Sequence, residues 1–359
     1  ISRMPIVPLT GHENIRRRLR RMIDAGSLPG SILFEGQRGI GKQRLALWLA
    51  QLLVCEYADK PCGTCLACRS VLELRHPDVF WVYPRPRLSD SSATSDDVIE
   101  DLGESSAERV ENHGLYPRPS GSEAIFLATT LTIVGKAAMT PSMGHRKVFI
   151  VGDAERMVAQ EGSDQAANAF LKLLEEPPSD TTILLTSSEP GALLPTVRSR
   201  VVSIRCAPLT DAEVLAFVRE PNVKAKLDSL DLPRGDAERV ALARGAPGDL
   251  LSAAALSSAR AAALTLLKAS ASRGAERYAV ALAQGTAGAR GAFSDMLAEL
   301  NVLLRERAES SLSNGDTAGA YAAAKATIAV TEAQARADGN VSPQLTAAAL
   351  LDALQGVPA

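Results

Sequence analysis

The chain has 359 residues and a formal net charge of −2 at neutral pH, so its overall charge gives no attraction for nucleic acid or for anionic membranes. This length allows two or three domains that each bury a hydrophobic core. No apolar run is long enough to cross a bilayer, and the first residues lack a secretory apolar segment, so we expect a cytoplasmic location.

A glycine-rich stretch, Gly36-Gln-Arg-Gly-Ile-Gly-Lys42, lies between the apolar run Ser31–Phe34 and an apolar helical pattern. This order of strand, turn and helix matches the G-x-x-x-x-G-K pattern that cradles nucleotide phosphates. The next residue, Gln43, replaces the Ser or Thr whose hydroxyl holds Mg²⁺, and an amide is a poorer ligand for that ion. We predict a loop that can bind ATP or ADP but is damaged for metal. Its nucleotide-binding residues are Gly36, Gly39, Gly41, Lys42 and Gln43.

Four of the five cysteines form a cluster with the spacing Cys55-x6-Cys62-x2-Cys65-x2-Cys68. In a cytosolic protein this spacing favours metal ligation over disulfides. Four thiolates around a tetrahedral Zn²⁺ make a closed, structural site. We therefore predict a zinc module over residues 55–68 with these four ligands. The alternatives are four free thiols in a loop, or a ligand set in which His76 takes part.

The stretch from residue 85 to 121 is polar, acidic and bracketed by prolines. It contains little apolar surface with which to offset the entropy of ordering a chain. The composition favours an inserted, mobile loop, and an acidic docking segment is the functional alternative.

The remainder of the first two hundred residues alternates between strand and helix patterns, which is typical of a doubly wound parallel sheet. The run Lys147–Val151 is continuously apolar, as expected for a buried strand. A loop-type ATPase carries a metal-holding Asp at the end of such a strand, and here Asp153 and Glu155 follow it. From about residue 207 onward the pattern is helical, and the last third is rich in alanine.

Several stretches resemble one family, the bacterial DNA polymerase III clamp-loader subunits of the AAA+ class. Asn168-Ala-Phe-Leu-Lys-Leu-Leu-Glu-Glu-Pro-Pro178 closely resembles a signature of these subunits, and the cysteine cluster resembles their zinc module. Ser188–Pro190 and Pro195–Arg200 resemble their sensor and Ser-Arg-Cys segments. The resemblance covers nearly the whole chain outside residues 85–121.

The resemblance implies a fold and a division into domains. The expected fold is an AAA+ doubly wound parallel α/β sheet with a zinc insert, a small helical lid and a helical collar. The AAA+ domain is expected at 1–206, the lid at 207–255 and the collar, through which five subunits assemble, at 256–359.

Three positions depart from the ATP-hydrolysing members of this family. Gln43 stands in place of Thr, and Gly248 in place of an arginine of the lid. Gly152-Asp153 stands in place of Asp-Glu, so Asp153 belongs to a degenerate second acidic motif. Three departures together favour a subunit that no longer hydrolyses ATP.

The resemblance also implies a role for Arg200. In the family the equivalent arginine reaches the ATP site of the neighbouring subunit, where it acts in trans as a catalytic arginine finger. A subunit with this finger and a damaged site of its own resembles the delta-prime type. The partners implied are the gamma/tau motor subunits and the clamp-opening delta subunit. The sliding clamp and primed DNA are implied as partners of the assembled complex, within the DNA polymerase III holoenzyme.

Three alternatives stay open at this point. Without the resemblance, Arg200 is better explained as an ordinary surface arginine before a strand. The whole chain is alternatively an active gamma/tau-like ATPase motor subunit. A third interpretation, of a different class, is a zinc-dependent nucleic-acid-binding module, against which the near-neutral charge argues.

Overall fold

The computed structural model describes residues 5–88, 93–119, 123–157, 170–272, 275–285, 290–338, 341–355 and 357. Its internal contacts separate two compact units: Ile1–Arg118 with Ala124–Ser252, and Pro119–Glu123 with Ala253–Ala359. These contacts do not separate residues 207–252 from the sheet, and the subdivision of the chain at residue 206 stays a prediction. None of the described helices is long and apolar enough to cross a membrane.

The first unit is built on a five-stranded sheet in which every neighbouring pair is parallel, with the strand order β2-β3-β4-β1-β5. The strands are β1 Ser31–Glu35, β2 Val79–Val82, β3 Lys147–Val151, β4 Thr181–Ser187 and β5 Val202–Arg205. All residues of β3 and β4 are buried, as expected for central strands covered on both faces. The predicted α/β fold class is therefore confirmed.

Helices connect the successive strands of the first unit, and three further helices follow β5. They are α1 Glu13–Asp24, α2 Lys42–Val54, α3 Leu66–Leu72, α4 Ser95–Glu111, α5 Leu127–Ala137, α6 over residues 170–175, α7 Pro195–Arg198, α8 Asp211–Arg219, α9 Pro221–Asp228 and α10 Asp236–Ala243. Two short 3₁₀ segments, Ala154–Met157 and Pro247–Ser252, follow β3 and α10. Residues 158–169, which include Asn168 of the signature segment, lie outside the described residues.

The prediction that residues 85–121 form an irregular loop is wrong for the middle of that stretch, which is the 17-residue helix α4. The helix begins with a capping box between Thr94 and Asp97, and it buries Val98 and Leu102, which lie one turn apart. An ion pair between Arg85 and Asp101, with 2.8 Å between Nη2 and Oδ1, ties it to the chain after β2. A narrow apolar stripe was enough for packing, although the overall composition is polar.

The second unit is helical, as predicted for the C-terminal region. Its helices are α11 Ala253–Ala271, α12 Ala275–Leu282, α13 Arg290–Ser313, α14 Thr317–Asp338 and α15 Pro343–Ala353. Leucines of α13, including Leu297, Leu300 and Leu304, form its core together with alanines of α14 such as Ala323 and Ala326. These small residues allow the two long helices to pack closely.

Candidate functional site

The glycine-rich loop connects the end of β1 to the start of α2. All three of its predicted glycines have a positive φ: 152° at Gly36, 77° at Gly39 and 93° at Gly41. A Cβ on Gly36 would lie 2.4 Å from the backbone oxygen of Cys206, so a side chain there would displace backbone as well. The residue types that the loop requires are thus explained by its own geometry.

Lys42 turns back into this loop, and its side chain is 5% exposed. Its Nζ donates to the carbonyl oxygens of Gly36 at 2.9 Å and Gln37 at 2.8 Å, and to Oγ of Ser188 at 2.9 Å. Burial lowers the pKa of Lys42, and the neighbouring carboxylates of Asp153 and Glu155 act in the opposite direction. Because an ammonium group has only three protons, Lys42 has none left for a phosphate while these three hydrogen bonds are made.

Gln43 lies directly in front of Gly152. Its Nε2 donates to Oδ2 of Asp153 at 3.2 Å, and its Oε1 accepts from the indole Nε1 of Trp81 at 3.2 Å. A Cβ on Gly152 would lie 2.5 Å from Oε1 of Gln43. The amide therefore occupies the space that a carboxylate at position 152 would need. The two departures from the metal-binding motifs fit one another.

Glu155 extends this network below the loop. Its Oε1 accepts from the backbone N–H of Ser188 at 3.0 Å, and Ser188 in turn binds Lys42. Burial first, and the neighbouring Asp153 second, raise the pKa of Glu155. Its Oε2 has no hydrogen-bond partner among the residues that the structure describes. The sequence had marked Glu155 only as a second acid after β3.

The 3₁₀ segment Pro247–Ser252 lies against the loop. The backbone N–H of Gly248 donates to the carbonyl of Gly39 at 2.9 Å. A Cβ on Gly39 would lie 2.7 Å from Oδ1 of Asp249, so a carboxylate lies beside the loop that should attract anions. Gly248 is one of the three departures that the sequence analysis singled out.

The insert helix α4 reaches the same region through Arg109, which the sequence had not marked. Its guanidinium lies over the rings of Tyr83, Tyr116 and Trp81, at 3.2, 3.7 and 4.5 Å from their centroids. Trp81 is also the residue that holds the amide of Gln43. The insert therefore supports Trp81, which in turn holds the amide of Gln43 in front of Gly152.

The four clustered cysteines meet immediately after α2, and their sulfur atoms all lie within 4.8 Å of one another. The Sγ–Sγ distances are 3.9 Å between Cys62 and Cys68 and 4.0 Å between Cys55 and Cys65. A tetrahedron with metal–sulfur bonds of about 2.3 Å has edges of about 3.8 Å, so the four residues fit a closed metal site.

Local hydrogen bonds favour a thiolate at one of these ligands. The N–H of Cys65 and the groups of Thr64 lower the pKa of Cys62 to about 6. His76 does not join the cluster, because its Nδ1 accepts from the backbone N–H of Asp78. The alternative ligand set is therefore not supported, and Cys206 lies buried elsewhere.

Arg200 lies apart from all these residues, and its side chain is 27% exposed. Its Nη1 donates to the carbonyl of Thr196 at 2.9 Å, and its Nη2 donates to Oε1 of Glu175 at 2.6 Å. The guanidinium is thus neither fully buried in its own core nor free in solvent.

The register of the sheet places the glycine-rich loop at the carboxyl ends of the strands, called the carboxyl edge, and Arg200 at their amino ends, called the amino edge. In the β1–β5 pair, Val202 lies opposite Ile32 and Arg205 lies opposite Glu35. The loop follows Glu35, whereas Arg200 precedes β5. At about 3.3 Å per residue, the paired strands separate the two edges by about 10 Å.

The chain is similar to subunits of bacterial DNA polymerase III. The family described as "DNA polymerase III, delta subunit" matches residues 11–210. The chain is 36% identical over 183 residues to DNA polymerase III subunit delta′ of Pseudomonas aeruginosa, which covers 50% of this chain and 43% of that protein. It is 28% identical over 233 residues to subunit delta′ of Bacillus subtilis, covering 64% of this chain and 58% of that one.

A further relative is the gamma/tau subunit of DNA polymerase III from Mycobacterium tuberculosis, which is 30% identical over 194 residues. That match covers 54% of this chain and 27% of the relative. The chain thus spans less than two thirds of the length of each of these relatives. Because the family match covers more than half of the chain, the chain belongs to the DNA polymerase III delta-subunit family of clamp-loader proteins.

Proposed function

We propose that this chain is a delta-prime-like subunit of a bacterial clamp loader that hydrolyses no ATP at its own loop. In this proposal it completes a pentamer with gamma/tau motor subunits and the clamp-opening delta subunit. It donates Arg200 in trans to the ATP site of an adjacent motor subunit, and the assembled complex places the sliding clamp on primed DNA.

The observation that carries the proposal is the state of the chain's own loop. Lys42 has all three ammonium protons in internal hydrogen bonds, and Gln43 fills the space in front of Gly152. Lys42 could contact the phosphates of ATP or ADP only if it released its internal acceptors. Hydrolysis would in addition need a metal ligand where the chain has the amide of Gln43.

The position of Arg200 supports a role in trans. The residue lies at the edge of the sheet opposite to the loop, so it is poorly placed to serve its own site. It is also partly exposed, as a group must be if it is to reach a second subunit. A guanidinium so delivered would neutralise charge that develops on the transferred phosphoryl group.

The cysteine cluster is proposed to hold a structural Zn²⁺. Four sulfur ligands leave no open position for a substrate, and thiolate-only sites of this geometry are typical of zinc. The cluster follows directly after α2, so the ion would fix the end of the helix whose first residue is Lys42.

The test is the ATPase activity of the complex reconstituted with gamma/tau and delta subunits. With Arg200→Ala, we expect turnover at the served site to fall by about 10³-fold or more, so that only the other ATP sites contribute. The isolated wild-type chain should show no turnover above background. Arg198→Ala is the matched control, because Arg198 is an exposed arginine two residues away.

Two results would contradict the proposal. One is an unchanged ATPase rate in an Arg200→Ala complex whose assembly is shown to be intact by size-exclusion chromatography. The other is turnover by the isolated chain that is lost on Lys42→Ala, which would instead support an active motor subunit like the gamma/tau relatives.

A further inference from the structure

The guanidinium of Arg200 is held by two neighbours of different kinds. Nη1 binds atoms of its own turn, the carbonyl of Thr196 at 2.9 Å and Oγ of Ser199 at 3.3 Å. Nη2 binds a carboxylate 25 positions earlier in the chain, Oε1 of Glu175, at 2.6 Å. This is a short, charge-assisted hydrogen bond. Nε is buried and has no acceptor within the described ranges.

The backbone on either side of Glu175 packs against the residues at the start of β1. It is the last residue of α6, and the preceding residue, Leu174, accepts a hydrogen bond from Oγ of Ser31 at 3.3 Å. Pro177, two residues later, packs on Gly30 so closely that a Cβ there would lie 2.7 Å from Cγ of the proline. The backbone around the carboxylate is therefore anchored to the central sheet.

The carboxylate of Glu175 accepts a hydrogen bond from Nη2 of Arg200, a donor that could otherwise bind a phosphate. Guanidinium groups bind both phosphate and carboxylate, and the negative charge of Glu175 beside Nη2 weakens the attraction of the guanidinium for a second anion. Glu175 is 54% exposed, so its hold on Arg200 is limited by solvent and can be exchanged.

We propose that Glu175 is the intramolecular counter-ion of Arg200, which orients the guanidinium at the subunit surface and is displaced when a neighbouring subunit presents a nucleotide phosphate. This inference rests on the proposed role of Arg200 in trans. Glu175 is a positioning residue, because it acts only through Arg200 and touches no reacting atom.

The test is Glu175→Gln in the complex reconstituted with gamma/tau and delta subunits, with ATP turnover measured as a function of ATP concentration. Glutamine keeps the shape and the acceptor oxygen but removes the charge. Because release of Arg200 becomes easier, we expect kcat to rise by about two- to fivefold, the range for a half-exposed ion pair, with a smaller change in KM. Glu176→Gln is the matched control, since its exposed carboxylate lies next in the chain.

A double-mutant cycle separates this role from a structural one. In the Arg200→Ala background, Glu175→Gln should leave kcat unchanged. A kcat equal to that of wild type, or one that falls, in Glu175→Gln would overturn the inference about Glu175 while Arg200→Ala still depresses turnover. If Arg200→Ala itself has no effect, the proposed function fails first.

Discussion

Lys42 and Arg200 lie at opposite ends of the parallel strands, and their cationic groups differ in exposure and in hydrogen bonding. At the carboxyl edge, Lys42 is 5% exposed and satisfied entirely by its own chain. At the amino edge, Arg200 is 27% exposed and shares one ion pair with a half-exposed glutamate. One edge is closed by internal hydrogen bonds, and the other presents a charge near the surface.

From this difference we expect substitutions around Lys42 to change the stability of the fold and substitutions around Arg200 to change its function. Groups at the closed edge satisfy one another in a buried setting, so altering one of them leaves its partners unpaired and lowers the stability of the fold. Groups at the open edge contribute little to stability, because a surface ion pair is weak. Substitutions there should instead change what the chain does for a partner.

The largest effect is expected from the cysteine cluster at the end of α2, which is proposed to hold zinc. Cys65→Ser removes one of four ligands, and the free energy of unfolding should fall by at least about 3 kcal/mol, because binding of structural zinc is itself folding free energy. Urea denaturation and metal analysis of the purified protein measure the two consequences. Loss of the ion should loosen the closed edge, since α2 carries Lys42 and Gln43.

Cys206→Ser is the control for this prediction, because Cys206 is a buried cysteine outside the cluster. It should retain its metal in full. A wild-type protein that purifies without any bound metal would refute the prediction, as would a Cys65→Ser variant that is as stable as wild type.

A smaller effect should come from the steric fit between Gly152 and Gln43. Gly152→Ala places a methyl group 2.5 Å from Oε1 of Gln43, so the amide must leave Asp153 or Trp81. We expect a loss of about 1–3 kcal/mol in the free energy of unfolding. In a Gln43→Ser background the same substitution should cost much less, and chemical denaturation of the four proteins gives the coupling.

Gly103→Ala supplies the matched control, because Gly103 lies exposed in α4 and a Cβ there meets nothing within 4 Å. That variant should be as stable as wild type or more stable, since alanine favours helix. Equal costs of Gly152→Ala in the two backgrounds would show that the positions are not coupled.

The smallest effect is a pH dependence of the closed edge through His12, whose Nε2 lies 2.7 Å from the carbonyl of Ile40 in the loop. Burial lowers the pKa of His12, so the unfolded chain takes up this proton before the folded one as pH falls. The stabilising contribution is complete above about pH 6.5 and is lost as pH falls through the pKa of the folded state. His12→Gln should therefore unfold with a weaker pH dependence between pH 7.5 and 5.5.

The comparison must be made between variants, because other buried groups titrate as well. Burial also lowers the pKa of His76, whereas the raised pKa of Glu155 contributes with the opposite sign. His145→Gln, at an exposed position, is the control and should follow the wild-type curve. Identical pH dependence of wild type and His12→Gln would exclude this contribution.

Local sequence patterns were sufficient for much of the fold. The apolar run at Lys147–Val151 predicted a fully buried strand, and the glycine-rich stretch predicted a turn between a strand and a helix. The spacing of the four clustered cysteines predicted that they lie together, and their sulfur atoms do so in the structure. These features depend on residues that lie near one another in the chain.

Features that depend on distant residues were missed for physical reasons. Composition does not reveal helix α4, because an average over a polar stretch hides a stripe of a few apolar residues such as Val98 and Leu102. The sequence shows Gln43 and Gly152 as two separate defects, and only their distance shows that one fills the space of the other. The pairing of Arg200 with Glu175 likewise requires the sheet that brings their segments together.

The intrinsic fluorescence of Trp81 can report on the contacts around Gln43 and the glycine-rich loop. Its N–H binds the amide of Gln43 while the guanidinium of Arg109 lies over its ring, so its emission depends on both contacts. The chain has one other tryptophan, Trp48, which lies on α2 beneath Arg16 and Arg20. In a Trp48→Phe variant, a shift of the fluorescence spectrum would follow any opening of the loop in real time, without an added label.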